Sequence, residues 1–204
     1  MQHVRACVQG VELSVRRRDF NADDGAQDPF FFDQDYSVAA ATGQLMWEGS
    51  WALVQLLQDQ ESWLAKRLAN GTRTLELGAG IGLLGLSAAA AGAHVLLTDL
   101  PSIVEASLEL NLRANAPDGR VGAGSVSAAP LDWRRPLHEQ HAAAEFAETA
   151  QVVLAAECVC MSSERYARQR NIQPLTCTPF LRRAPRARTA FRRARLPVAP
   201  PSQV

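Results

Sequence analysis

The run Thr74–Leu75–Glu76–Leu77–Gly78–Ala79–Gly80–Ile81–Gly82 constrains this chain more than any other stretch. A short apolar strand pattern, Arg73–Leu77, enters a turn with glycine at every second position. An Ala- and Leu-rich run, Leu83–Ala91, follows and stops at Gly92. Glycine accepts the left-handed backbone that a tight turn demands, and its missing Cβ lets a ligand approach the main chain. Strand, tight turn and helix in that order predict a helix N-terminus facing a bound group.

The same alternation continues along the chain. His94–Thr98 reads as a second strand ending at Asp99, and Pro101, suited to a first helical position, opens a helix through Ile103, Val104, Ala106, Leu108 and Leu110 to about Asn115. A weaker third strand near Gly124–Leu131 ends at Asp132–Trp133, and Gln151–Ala156 is a continuous apolar run of the sort buried inside parallel sheets. The order βαβαβ(α)β predicts an α/β fold: a Rossmann-like parallel sheet with flanking helices and a ligand site at the carboxyl ends of its strands. Upstream, alternation at Val4, Val8, Val11, Leu13 and Val15 predicts an N-terminal hairpin. From Trp47 to Asn70, apolar residues at Trp51, Val54, Leu57, Trp63, Leu64 and Leu68 have helical spacing, with Trp51 and Trp63 expected in the core.

The formal net charge is zero, yet ten basic residues and one acid follow Cys160, leaving eleven and twenty before it. This asymmetry predicts two segments of different character. We expect a folded domain over 1–160 and an Arg/Pro-rich tail over 161–204, disordered because it lacks the apolar area to offset chain entropy. The four cysteines form no metal-ligand spacing, and His138–Glu139–Gln140–His141 is expected to be a solvated polar loop, so no metal is expected. No run reaches the roughly 18 apolar residues that span a bilayer, and no signal peptide is evident. The expectation is a soluble cytoplasmic protein, with the nucleus as a second location, monomeric and without a membrane or nucleic-acid partner.

Gly80–Ile81–Gly82–Leu83–Leu84–Gly85 satisfies the dinucleotide pattern GxGxxG, and Asp99 lies 19 residues after Gly80, near the spacing of a ribose-binding acid. A nicotinamide-dependent oxidoreductase therefore stays open. Glu76 points elsewhere: a carboxylate at the strand end suits the ammonium of a methionine moiety, whereas it would repel a pyrophosphate. Asp132 and Trp133 after the third strand could accept from an adenine amino group and stack on its ring.

The motifs Thr42–Gly43–Gln44–Leu45–Met46–Trp47, Leu75 to Leu83, Thr98–Asp99–Leu100–Pro101, Leu131–Asp132–Trp133 and Ala155–Ala156–Glu157 resemble the seven-β-strand protein-lysine methyltransferases. The resemblance covers roughly Phe30 to Cys160. It implies S-adenosylmethionine as cofactor and a lysine side chain of a protein as acceptor. Trp47 would help enclose the cofactor, Gly78, Ala79 and Gly80 approach its methionine portion, Asp99 bond the ribose, Trp133 cover adenine, and Ala156 stand beside it. Glu157 takes the place where relatives usually carry an aspartate near the methyl acceptor, and is the expected catalytic residue. The family's aromatic three residues further on is replaced by Cys160, and nothing from Met161 to Val204 matches the family's later strands. The chain is therefore expected to be incomplete on its C-terminal side, with its fourth strand an exposed edge. A non-catalytic interaction module is the third alternative.

Overall fold

The computed structural model describes residues 2–18 and 43–157. These belong to one unit, Met1–Met161; a second, Ser162–Val204, lies outside the described residues, as do the expected tail and the completeness of the C-terminal side. The predicted hairpin is present: β1 (Gln2–Val8) and β2 (Val11–Arg17) pair antiparallel, with Val4 opposite Val15.

Where one helical stretch was expected from Trp47, two helices form, α1 (Glu48–Gln58) and α2 (Trp63–Leu68). Local chemistry explains the break. Asp59 is extended and accepts the Glu61 N–H, while Ser62 caps α2 by accepting the Ala65 N–H at 3.1 Å and donates its hydroxyl to the Leu56 carbonyl at 2.6 Å. These side chains offer the backbone an alternative to helix, as Asp and Ser commonly do. Trp51 packs against the core as expected, but Trp63 opens α2 with 68% of its surface exposed.

β3 (Arg73–Leu77), α3 (Leu83–Ala90) and β4 (His94–Asp99) match their sequence patterns. The helix from Pro101 is continuous, α4, running through Pro101–Ile103, a π turn at Val104–Leu108 and Glu109–Asn115. Next comes a strand the sequence reading lacks, β5 (Arg120–Val121), folded back antiparallel on β6 (Gly124–Pro130) around Gly122, whose φ is +56°. The expected polar loop at 138–141 is instead a 3-10 turn, Leu137–Glu139, and the start of α5 (His141–Thr149). β7 (Val152–Leu154) is shorter than Gln151–Ala156.

The five-stranded sheet has the order β5-β6-β4-β3-β7; β6, β4, β3 and β7 are parallel. Thr74 and Leu97 face α1, α3, α4 and the hairpin, whose Val8, Leu13, Val15, Val54, Leu57, Leu86 and Leu108 fill the main core. Leu75, Leu96 and Ala129 face α5 on the other side, with Phe146 under the Arg73 guanidinium at 4.3 Å. The chain progresses outward from β3 to β4 and β6, then returns to the other flank of β3 as β7. That reversal places a crevice at the carboxyl ends of β3 and β7, where open α/β sheets bind their ligands.

Candidate functional site

Every expected site residue except Glu76 lies at or just past the carboxyl end of a sheet strand or, for Trp47, at the start of α1. Gly78, Gly80 and Gly82 have φ of +63°, +55° and +81°, so the turn after β3 is built from left-handed residues that a side chain would strain. The turn is tied inward: the Ala79 N–H donates to the Thr98 carbonyl at 3.0 Å and the Gly80 N–H to Asp99 Oδ2 at 2.8 Å. A Cβ at Gly80 would stand 2.9 Å from the Gly43 carbonyl oxygen, so the segment entering α1 crosses directly over the turn.

Asp99 also accepts the Leu100 N–H on Oδ1 at 2.7 Å. Burial pushes its pKa up, against the lowering effect of these two amides. The Leu131 N–H reaches the Asp99 carbonyl at 2.7 Å, which fastens the end of β6 beside the end of β4 and brings Asp132 and Trp133 to the same edge. Half of Trp133 is exposed.

Two residues differ from expectation. Glu76 does not open onto the edge: it is 2% exposed, on the face of β3 beneath α3, where Gly85 leaves the room it occupies. Burial, then the neighbouring Asp99, push its pKa up to about 8, opposed by the Gly85 N–H, and Oε2 has no hydrogen-bond partner. Asp132 is not a free acceptor. Arg134 grips both its oxygens, Nε at 3.0 Å from Oδ1 and Nη2 at 2.7 Å from Oδ2, and holds its pKa below the usual carboxylate range. The Arg134 N–H also donates to Oδ1 at 2.9 Å, so the carboxylate braces the turn that presents Trp133.

Beyond β7, Ala156 packs partly against the core and Glu157 adopts φ +53°, an uncommon conformation for a residue with a side chain. Its Oε2 accepts the Gly49 N–H at 3.1 Å in the first turn of α1, and a Cβ at Gly49 would come within 2.9 Å of Glu157 Cγ. Trp47 and Glu157 share a cavity of about 320 Å³ with Arg17, Arg18, Leu45, Met46 and Glu48. The structure thus gathers Gly78, Ala79, Gly80, Asp99 and Trp133 along the strand ends, and Trp47 and Glu157 around the adjoining cavity.

Sequence reasoning missed Asn111. Buried at 1% exposure, it donates Nδ2 to the Ile81 carbonyl at 2.9 Å and the Arg16 carbonyl at 3.1 Å, and accepts the Arg16 N–H at 2.8 Å. It therefore binds the glycine turn to the hairpin. The signal was available, because Asn111 continues the inward face marked by Val104 and Leu108 with a polar group.

A largely parallel α/β sheet with a glycine turn and an acid at the next strand end is an architecture that class I methyltransferases share with dinucleotide-binding Rossmann domains. A sequence model described as "Lysine methyltransferase" matches residues 28–173, and this chain belongs to that family. The match continues past Cys160, where the sequence reading drew its boundary. The chain is 40% identical over 93 residues to the protein-lysine N-methyltransferase rrg1 of Schizosaccharomyces pombe, covering 45% of this chain and 30% of that protein. It is 37% identical over 93 residues to the protein N-lysine methyltransferase METTL21A of Danio rerio, covering 46% and 39%. Identity to the EEF1A lysine methyltransferase 3 of Mus musculus is 29% over 134 residues, 66% of this chain and 46% of that protein. The chain thus spans less than half the length of these relatives. The nicotinamide reading of Gly80–Gly85 gives way to the family assignment; Gly85 serves packing, since a Cβ there would overlap the Leu97 and Glu76 side chains. Among the described residues no helix is long and apolar enough to cross a membrane.

Proposed function

We propose that this chain binds S-adenosylmethionine along the carboxyl edge of β3, β4 and β6 and transfers its methyl group to a lysine of a protein. The observation that carries the reading is the seat at Gly80, which has no room for a side chain under Gly43 and is pinned by Asp99, in a chain of the lysine methyltransferase family. The residues suit the cofactor chemically. Glu76 is a buried carboxyl beneath the turn with no partner on Oε2, and a methionine ammonium held above the turn would favour its ionised form. Asp99 retains lone pairs for ribose hydroxyls beyond the two amides it accepts, and the exposed face of Trp133 offers a stacking surface for adenine.

When bound, the cofactor supplies a methyl group activated by its sulfonium. The protein's own task is alignment: Trp47 and Glu157 border the cavity beside the turn, and Glu157, fixed at the start of α1, is positioned to receive the acceptor amine. Its attachment to a helix N-terminus holds the carboxylate in place without immobilising a flexible loop.

Calorimetric titration with S-adenosylhomocysteine tests the assignment. Saturable binding in the wild type, weakened at least about tenfold in Asp99→Ala, is expected, because that change removes an anchor of the turn as well as a ribose acceptor. Binding of NADH in place of S-adenosylhomocysteine would reverse the assignment.

A further inference from the structure

Arg17 is the last residue of β2 and shares the inward face of that strand with Leu13 and Val15, both buried in the main core. Alternation in a strand thereby sets the Arg17 side chain on the core-facing side of the strand end, where it is half-buried. The fold spends little of it. Nη2 donates to Gln2 Oε1 across the hairpin at 2.6 Å, Nε is shut from solvent without a partner, and among the described residues no ion pair reaches Arg17. Its buried Nε is a donor left unspent, which an anionic acceptor would satisfy. Arg17 also lines the cavity that holds Trp47 and Glu157.

The hairpin end is not loosely placed. Asn111 bonds both the N–H and the carbonyl of Arg16 while holding the Ile81 carbonyl of the glycine turn, so Arg17 follows a residue one side chain away from that turn. The next residue is fixed too, the Arg18 N–H donating to the Gln44 carbonyl at 2.9 Å in the segment that crosses Gly80. The acids at this edge, Asp99 and Glu157, suit cationic and hydroxyl groups. An anionic group of the same ligand needs a cation, and a planar guanidinium matches a carboxylate in geometry as well as charge.

We infer that Arg17 is a binding residue for the α-carboxylate of the cofactor's methionine end. This rests on the cofactor reading above and extends it to a subsite built by the N-terminal hairpin. Titrations on the full chain separate the two. The probes are S-adenosylhomocysteine and its decarboxylated analogue, which keeps the adenosine, thioether and ammonium. Wild type should bind the first at least about tenfold more tightly than the second. Arg17→Ala should lose about that factor for S-adenosylhomocysteine and nothing for the analogue, with Arg17→Lys recovering part of the loss. Equal wild-type affinity for the two probes overturns the assignment, as does an Arg17→Ala variant that loses both alike or neither. Should Arg17→Ala lack a cooperative melt, the wild-type pair of titrations decides. Wild type that binds neither probe fails the cofactor reading itself, and this subsite with it.

Discussion

At Glu76 a proton sits on the carboxyl at neutral pH, because burial and Asp99 raise its pKa to about 8 from an ordinary value near 4.5. The folded chain therefore binds more protons than the unfolded one between those values, and stability falls as pH rises through that window. The loss is on the order of a few kcal/mol at the alkaline end. The melting temperature of ligand-free protein should decline from pH 5 to 8.5, and Glu76→Gln should flatten most of that decline. A slope of the same sign should remain from Asp99, whose pKa is also raised. An unchanged profile in Glu76→Gln would place the titrating group elsewhere.

Among the elements, the hairpin is held by two asparagines of α4, of which Asn111 also reaches the glycine turn. Asn115 accepts the Ser14 N–H at 2.8 Å and donates to the Ser14 carbonyl at 2.9 Å, one helical turn beyond Asn111. Asn111→Ala would leave the buried Ile81 carbonyl and the part-buried Arg16 N–H and carbonyl without this partner, at a cost of about 1–3 kcal/mol. Hydrogen exchange should then accelerate at the Arg16 amide, with β4 and α3 little changed; uniform acceleration would mean that α4 itself had melted. Strands and helices with strong patterns were legible in the sequence, since the turn after β3, Pro101 and the run of β4 each have a local physical cause. β5 was not: two residues fold back only because β6 already lies beside β4. α5 was obscured because its apolar face is a few alanines and Phe146, too weak a stripe until the sheet offers Leu75 and Leu96 as a partner surface. At the site, residue types and strand-end positions were readable. The inward burial of Glu76, the grip of Arg134 on Asp132 and the bridge through Asn111 depend on distant segments meeting.

At the scale of the molecule, the sheet formed by the described residues has β7 at one side, paired with β3 alone and leaving Val153 55% exposed. An apolar strand at a sheet edge invites pairing with other chains. Val153→Lys should reduce light scattering on incubation at high concentration while leaving S-adenosylhomocysteine affinity within about twofold, since Val153 is exposed and pairs with Leu75 in mid-strand. Equal scattering would show that this edge does not govern association. The sealed carboxyl beneath the glycine turn also ties ligand capture to the surrounding buffer. An arriving ammonium favours ionised Glu76, so each binding event near neutrality should expel up to one proton, and affinity should climb with alkalinity until about pH 8 even as the empty fold weakens. Titration heats measured in buffers of unlike ionisation enthalpy should then differ, and identical heats would mean that Glu76 keeps its proton when the pocket fills.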